Sequence, residues 1–147
     1  MTMPHQRAVT DNRYGPWLDK TLDGVPHARA AVLGTMDGIA VAYSQAIDLT
    51  DAEKFTAAMC GTVSLAKALA TAQTALVGGT DKAWVQSITE YHGGYVLVLS
   101  AGSHAYLAAT AGREVDLGVL NYALQELVGR LGKQLDSPTR AAAVPAI

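Results

Sequence analysis

Histidine is the side chain in this sequence best suited to bind a metal, but its spacing does not favour a metal site. The four histidines lie far apart in the chain: His5, His27, His92 and His104. No two of them are spaced i, i+4, the helical arrangement that lets two imidazoles share a zinc ion. His92 and His104 could meet at the end of a sheet, although solvated loop histidines are the commoner case. We expect neither a metal nor another cofactor.

Cys60 is the single cysteine and the only candidate thiol nucleophile. A catalytic thiol needs an imidazole partner, and its thiolate is favoured near a helix N-terminus, whereas Cys60 lies in the middle of a helical pattern. We interpret Cys60 as a packing or interface residue. Asp37 and Asp116 fit a turn and a helix cap better than a pair of catalytic carboxylates.

The segment Gly78-Gly79-Thr80-Asp81-Lys82 is the closest approach to a phosphate-binding loop. Such a loop follows a strand and opens a helix, so that backbone amides cradle the phosphates. Here the segment follows a helical pattern and precedes a strand pattern, which indicates a helix stop and a turn. Because no nucleophile, metal or cofactor motif is present, we expect no catalytic residues, and an enzyme is the least favoured class.

The composition indicates one globular domain that does not bind nucleic acid. The chain has 147 residues, of which 50% are hydrophobic and 16% are charged, and its net charge is -2. Its arginines and lysines are scattered, with no basic stripe that could neutralise successive phosphates. One cysteine excludes an intrachain disulfide, and the polar start lacks the apolar segment of a secretory signal, so we expect a cytoplasmic protein.

Hydrophobic periodicity and turn residues predict a domain at residues 13–135 between flexible tails at residues 1–12 and 136–147. The predicted order is α-β-β-α-β-β-β-α. The elements are a helix from Gly15 to Val25, strands at Ala28–Leu33 and Ile39–Tyr43, a long central helix at Asp51–Val77 capped by Thr50 and Glu53, strands at Ala83–Tyr91, Tyr95–Ser100 and His104–Thr110, and a last helix capped by Asp116. Asp37-Gly38 supplies the first hairpin turn. Ala83–Tyr91 is expected at a sheet edge and Tyr95–Leu99 inside the sheet.

A helical wheel divides the central helix into three faces. The large residues Phe55, Leu65, Leu69 and Leu76, with Ala58, Thr62 and Ala72, are predicted to cover the sheet. The small residues of one flank, which could admit a second helix and form a dimer interface, are Ala57, Gly61, Ala68 and Ala75. The face predicted to point outward and bind a partner carries Thr56, Cys60, Val63, Lys67, Thr71 and Thr74. Two alternatives could explain the small, weakly charged surface of this helix. Alanine could be frequent only because it is the best helix former, or the helix could span a membrane, although polar residues interrupt it.

The order of elements and several short motifs resemble the Roadblock/dynein light chain family, in particular its small actinobacterial members encoded in conservon operons beside a Ras-like GTPase. The matching motifs are Trp17-Leu18-Asp19 with Val25-Pro26, Thr35-Met36-Asp37-Gly38, the alanine-rich central helix, Gly93-Gly94-Tyr95-Val96-Leu97-Val98 and Asp116-Leu117-Gly118. The resemblance spans residues 14–132, and it contains no catalytic signature.

The resemblance implies a mixed α/β (α+β) profilin-like fold, in which a five-stranded antiparallel sheet lies between helices. It also implies a homodimer in which the two central helices lie side by side and the third strands pair, so that Trp84, Gln86 and Ile88 would belong to the interface. Known relatives scaffold or regulate small GTPases, and some stimulate GTP hydrolysis.

We therefore expect a non-enzymatic homodimeric adaptor that binds a Ras-like small GTPase and, as a further partner, a sensor kinase from the same operon; any membrane association would be indirect. No arginine lies between Arg29 and Arg113, so the central helix cannot supply an arginine finger. Arg113 is a remote candidate, and an indirect effect on the GTPase fits better. The alternative is a small-molecule sensor with a PAS-like or profilin-like fold, which would need an internal pocket.

Overall fold

The structure is a computed structural model that describes residues 12–136. Its elements are α1 (Gly15–Asp23), β1 (Ala28–Thr35), β2 (Ala40–Tyr43), α2 (Leu49–Ala68), α3 (Ala70–Val77), β3 (Gln86–Tyr91), β4 (Gly94–Ser100), β5 (Ala105–Gly112) and α4 (Leu117–Asp136). Helices α2 and α3 join at Leu69, whose backbone keeps helical angles and helical hydrogen bonds, so we call them together the central helix. The predicted order of elements is confirmed.

The five strands form one antiparallel sheet in the order β2-β1-β5-β4-β3. One face carries the main core, which α1 and α4 cover, and the central helix covers the other face. Along β4, Leu97 and Leu99 enter the main core whereas Val98 contacts the central helix. The predictions of a sheet between helices, an inner β4 and an edge β3 are therefore confirmed.

Two glycines make the hairpins possible. Gly38 has a φ of 86°, and its N–H donates to the carbonyl oxygen of Thr35 at 3.0 Å, which closes the predicted first hairpin. Gly94 begins β4 so close to β5 that a Cβ there would collide with the carbonyl oxygen of Ala111. Each position therefore requires glycine for a different reason.

Helices α1 and α4 follow the predicted pattern closely. Pro16 lies in the first turn of α1, where its missing N–H costs nothing, and Leu18 and Leu22 are buried. The Asp116 carboxylate accepts the backbone N–H of Val119 at 3.1 Å and caps α4. The leucines of α4 that are fully buried are Leu120, Leu124, Leu127 and Leu131.

The central helix begins two residues earlier than predicted. Its N-cap is Asp48, whose carboxylate accepts the backbone N–H of Asp51 at 2.8 Å. Thr50 already lies inside the first turn, so the predicted capping box of Thr50 and Glu53 is wrong. Asp48 and Thr50 are both preferred capping residues, and they lie only two positions apart, so the sequence alone did not distinguish between them.

The side of the central helix that faces the sheet carries small and medium-sized side chains. Those that are buried in α2 are Ala52, Thr56, Met59 and Val63. The helix approaches β1 so closely that a Cβ at Gly34 would lie 2.6 Å from Cγ2 of Thr56. The hydroxyl of Thr56 donates to the carbonyl oxygen of Ala52 at 2.8 Å, so it is satisfied in this dry contact.

The predicted orientation of the central helix is therefore wrong. Leu65, Leu69 and Leu76 were expected against the sheet, but they are 71%, 66% and 87% exposed. Ala58 and Ala72 of the same predicted face are also exposed, and Thr62 is half-buried. Only Phe55 of that set packs inward. We call Leu65, Leu69 and Leu76 the leucine ridge.

The start of β3 differs from the prediction, and Asn12 is hydrogen bonded to β2. Strand β3 begins at Gln86, because Trp84 turns inward and packs on the Tyr106 ring, with 5.9 Å between ring centroids. Asn12 belongs to the domain, since its side chain accepts the N–H of Tyr43 at 2.8 Å and donates to its carbonyl oxygen at 3.1 Å. The rest of the predicted tails, apart from Asp136 at the end of α4, lies outside the described residues.

Candidate functional site

The leucine ridge is the largest apolar feature on the described surface of the central helix. Only Thr74 is buried between Ala70 and Val77, so α3 projects its apolar side chains into solvent. The residues of the predicted small flank, Ala57, Gly61, Ala68 and Ala75, are all exposed beside the ridge. Neighbouring exposed apolar side chains of this kind are candidates for a docking surface.

Strand β3 offers a second exposed surface at the edge of the sheet. Val85 just before the strand, Ile88 within it and Tyr91 at its end are 64%, 47% and 56% exposed. The Gln86 side chain accepts a hydrogen bond from Gln125 at 2.9 Å, which ties the start of β3 to α4. Of the predicted interface residues on this strand and before it, Ile88 is thus exposed, whereas Trp84 and Gln86 are half-buried.

Half of the side chains predicted to bind a partner are buried. Thr56, Val63 and Thr74 point inward, which contradicts their predicted outward position. The hydroxyl of Thr74 donates to the carbonyl oxygen of Ala70 at 2.9 Å, so it is satisfied within its own helix. These three side chains are buried because the central helix turns a different face to the sheet from the one predicted. Thr71 is exposed, as predicted.

Cys60 is half-buried against the first hairpin. Its thiol donates to the carbonyl oxygen of Thr35 at 3.3 Å and lies 3.7 Å from that of Met36. Two large apolar side chains at the hairpin, Met36 and Ile39, are 39% and 54% exposed. The sequence pattern did not predict that this hairpin lies next to the central helix, because that proximity depends on how the helix crosses the sheet.

Lys67 joins the central helix to an aromatic cluster that sequence reasoning missed. Its Nζ donates to the Tyr106 hydroxyl at 2.7 Å and lies 5.1 Å from the centre of that ring. Trp84 packs on Tyr106 and donates its indole N–H to Ser87 Oγ at 3.0 Å. A lone lysine in an otherwise uncharged stretch of helix was the one signal that could have indicated such a contact.

A groove of about 240 Å³ lies between the central helix and the segment that precedes β3. It is lined by Ala66, Leu69, Ala70, Gln73, Lys82, Ala83, Trp84 and Val85. The groove opens along the surface next to the leucine ridge. Leu97, Leu99, Ala105 and Ala108 are buried and fill the core.

The Arg113 side chain contacts Glu90, Tyr91 and Tyr95. Its Nη1 lies 2.6 Å from the Glu90 carboxylate and donates to the carbonyl oxygen of Tyr91 at 3.1 Å, and its guanidinium lies 5.4 Å from the Tyr95 ring centre. The hydrogen bond to Glu90 raises the pKa of Arg113 above its ordinary value. These contacts clamp the turn after β3 to the end of β5.

Metal binding and membrane insertion are two further possible properties of the described residues. Among residues 12–136, no group of three or more histidine, cysteine, aspartate or glutamate side chains is placed to hold a metal ion. In the same part of the chain, one helix, Leu49–Val77, is long and apolar enough to cross a membrane. Helices that pack on protein share this length and hydropathy.

Residues 12–136 define a small α/β domain in which the central helix has an exposed apolar face and β3 forms an exposed edge of the sheet. The sequence profile of the Roadblock/LC7 domain matches residues 17–111, so the chain belongs to the Roadblock/LC7 domain family. This is a family of non-catalytic adaptors and regulators.

Solved structures agree with this assignment. A Roadblock/LC7 domain from Streptomyces avermitilis is 31% identical over 81% of this chain and 95% of that chain, with a TM-score of 0.70. The gliding protein MglB from Thermus thermophilus is 19% identical over 91% and 94%, with a TM-score of 0.67. Profilin IA from Acanthamoeba castellanii is 14% identical over 82% and 98%, with a TM-score of 0.50, which supports the profilin-like fold. No curated protein matches the chain.

Proposed function

We propose that the protein is a homodimeric adaptor or regulator that binds a Ras-like small GTPase, as a member of the conservon type, and performs no catalysis itself. The observation that carries this proposal is the leucine ridge. Burying an exposed leucine contributes roughly 2 kcal/mol, so three of them favour association strongly. A second copy of the chain supplies an identical apolar ridge, and a two-fold axis pairs such surfaces with each other.

The dimer is tested by sedimentation velocity on the wild-type chain and on Leu76→Glu. The wild type should sediment as a dimer, whereas Leu76→Glu should be a folded monomer, because Leu76 is 87% exposed and the charge would be buried only in the dimer. Tyr122→Glu is the matched control, since Tyr122 is 67% exposed on α4 and away from the ridge. A monomeric wild type, or dimeric Leu76→Glu, would contradict the proposed interface.

The GTPase would dock beside the first hairpin, according to this proposal. Cys60 packs there, and Met36 and Ile39 are exposed on the hairpin, so the surface remains accessible when the leucine ridge is covered. Lys67 and Thr71 are the other exposed residues of the partner-binding set. The central helix has no arginine, which favours repositioning of the GTPase's own catalytic groups over a supplied arginine finger. A sensor kinase of the same operon would be a further partner, and both would meet the adaptor in the cytoplasm.

Binding is tested by mixing the protein with a Ras-like GTPase from the same genome, loaded with GDP or with a non-hydrolysable GTP analogue, and following co-elution on a sizing column. The wild type should co-elute with one of the two forms. Ile39→Glu should lose co-elution while remaining a dimer, because Ile39 is exposed on the hairpin and not on the ridge. Absence of co-elution with both forms would count against a GTPase adaptor.

A small-molecule sensor remains the competing class. A sensor encloses its ligand in a pocket with converging polar groups, whereas the groove beside Leu69 opens along the surface. Nothing in the site therefore favours this function.

A further inference from the structure

The surface groove beside the central helix has apolar walls that nothing in residues 12–136 covers. Leu69 on the helix wall and Val85 on the opposite wall are 66% and 64% exposed. Three alanines and Trp84 complete the apolar lining. Pockets for drug-sized ligands measure about 300–1,000 Å³, and this groove is smaller. Its size and lining therefore suit a few aliphatic side chains of a peptide segment.

Helix α4 ends at the same end of the sheet as the groove. A Cβ at Gly132 would lie 3.8 Å from the Cα of Gly102, so the last turns of α4 lie against the connection between β4 and β5. Ser100, just before that connection, donates its N–H to the carbonyl oxygen of Val85 at 3.5 Å, and Val85 lines the groove. The chain therefore leaves α4 on one face of the sheet, while the groove opens on the other face at the same end.

The segment that follows α4 has the length and the composition to fill the groove. Residues 137–147 follow Asp136, and the first four, Ser137–Arg140, carry the polar side chains and the charge of this segment. Four extended residues span about 13 Å at roughly 3.3 Å each, and packed layers lie about 10 Å apart, so these four can pass the end of the sheet. The next residues, Ala141–Ile147, are alanine, valine, proline and isoleucine only. The apolar part of the segment thus begins where the chain reaches the groove.

Covalent attachment favours this segment over any separate molecule as the occupant. A short link holds its end near the groove at an effective concentration in the millimolar range, roughly a thousandfold above that of a micromolar partner. Pro145 lies within the apolar part, and its fixed φ reduces the conformational entropy that is lost on binding. Weak apolar contacts therefore suffice to fill the groove from within the chain.

We infer that Ala141–Ile147 dock in the groove of their own chain and thereby cover Leu69 of the leucine ridge. Leu69 belongs to both surfaces, so the docked segment removes part of the surface that a second copy would contact. The segment thus restrains self-association, and the dimer forms from chains whose segment has left the groove. Docking is independent of the proposed homodimer, whereas its effect on association rests on that proposal.

The fluorescence of Trp84 reports on docking, because Trp84 lines the groove. Trp17→Phe removes the other tryptophan of the chain. Leu76→Glu, which does not alter the lining, keeps the chains apart, so that only the chain's own segment can cover Trp84. All three chains compared below carry these two changes.

Docking is tested by replacing the aliphatic side chains of the segment. Val144→Ser with Ile147→Ser should move the Trp84 emission maximum to longer wavelength, because the indole loses its apolar cover. The matched control, Ser137→Ala with Thr139→Ala, changes only the linking part and should keep the emission maximum of the background chain. The same emission maximum in all three chains would overturn the docking.

The position of the segment is tested by disulfide formation in a Cys60→Ser background. Gln73→Cys with Ala146→Cys should form a disulfide within one chain under mild oxidation, because Gln73 lines the groove. Glu126→Cys with Ala146→Cys is the control, since Glu126 is exposed on α4, away from the groove, and should be linked more slowly. Equal rates for the two pairs would overturn a preferred position in the groove. Disulfides between two chains would show that the segment of a second copy fills it instead.

The effect on association is measured by sedimentation of the wild type and of Val144→Ser with Ile147→Ser. A segment that fills the groove about nine-tenths of the time leaves about one-tenth of the chains competent, so the substituted chain should dimerise with a Kd at least about tenfold lower. An unchanged Kd would overturn the restraint on association. If both chains are monomeric, the proposed homodimer and the restraint fail together, while the Trp84 shift would still establish docking.

Discussion

At the scale of single residues, the position of the central helix depends on one glycine. Gly34 has no side chain, and Thr56 fills the space that a Cβ would occupy, with its Cγ2 only 2.6 Å from the ideal Cβ position. The helix backbone can therefore approach β1 more closely than any larger pair of residues would allow. The contact holds the face of the helix that carries Thr56 against the sheet.

We predict that Gly34→Ala destabilises the protein by about 1–3 kcal/mol, because the new methyl group overpacks a contact with little room to relax. The free energy of unfolding in urea measures the loss. Adding Thr56→Ser, which removes Cγ2, should recover part of it. Gly129→Ala is a control with open space around the new Cβ in a helix, and it should raise stability by up to about 1 kcal/mol. A neutral Gly34→Ala would show that the helix can move away without cost.

At the scale of elements, helix periodicity predicted where the central helix lies but not how it is turned. Large side chains mark a face that will be covered, yet they do not say whether the sheet or another molecule covers it. Here Thr56 and Val63 pack against the sheet, whereas Leu65 and Leu76 are exposed. By contrast, the leucines of α4 recur on one face and its charged residues lie outside that face, so its buried leucines could be predicted from the sequence.

The N-terminus of the central helix provides a test at this scale. Asp48→Ala removes the carboxylate that accepts the Asp51 N–H, and we expect a loss of about 1 kcal/mol in the free energy of unfolding. Asp48→Asn keeps an acceptor and should lose less. Thr50→Ala, two residues later, should change stability by less than about 0.5 kcal/mol, because Thr50 is not the cap. A larger loss for Thr50→Ala than for Asp48→Ala would restore the capping box inferred from the sequence.

At the scale of the whole molecule, the strands, the hairpins and the main core followed from local patterns, whereas the functional surface did not. Turn glycines and alternating side chains act over a few residues, and these are visible in the sequence. The nearness of Cys60 to the first hairpin, or of Lys67 to Tyr106, depends on how distant elements cross. The function of the leucine ridge also depends on a partner molecule, and the sequence of one chain does not describe that partner.

A dimer held by apolar surface should link stability to concentration. If folding and association are coupled, each hundredfold rise in protein concentration adds about 2.7 kcal/mol per dimer, because the native state is favoured by mass action. For two chains of this size we expect the thermal unfolding midpoint to rise by roughly 5 °C or more, measured by circular dichroism.

Leu76→Glu should abolish this dependence, and Tyr122→Glu should retain it, since only the first residue lies on the leucine ridge. Raising the salt concentration should not weaken the wild-type dimer, because its proposed centre carries leucines and no ion pairs for salt to screen. A midpoint that is independent of concentration, in a protein that sediments as a dimer, would mean that the dimer dissociates on heating before the chains unfold. The ridge would then contribute to association and not to thermal stability.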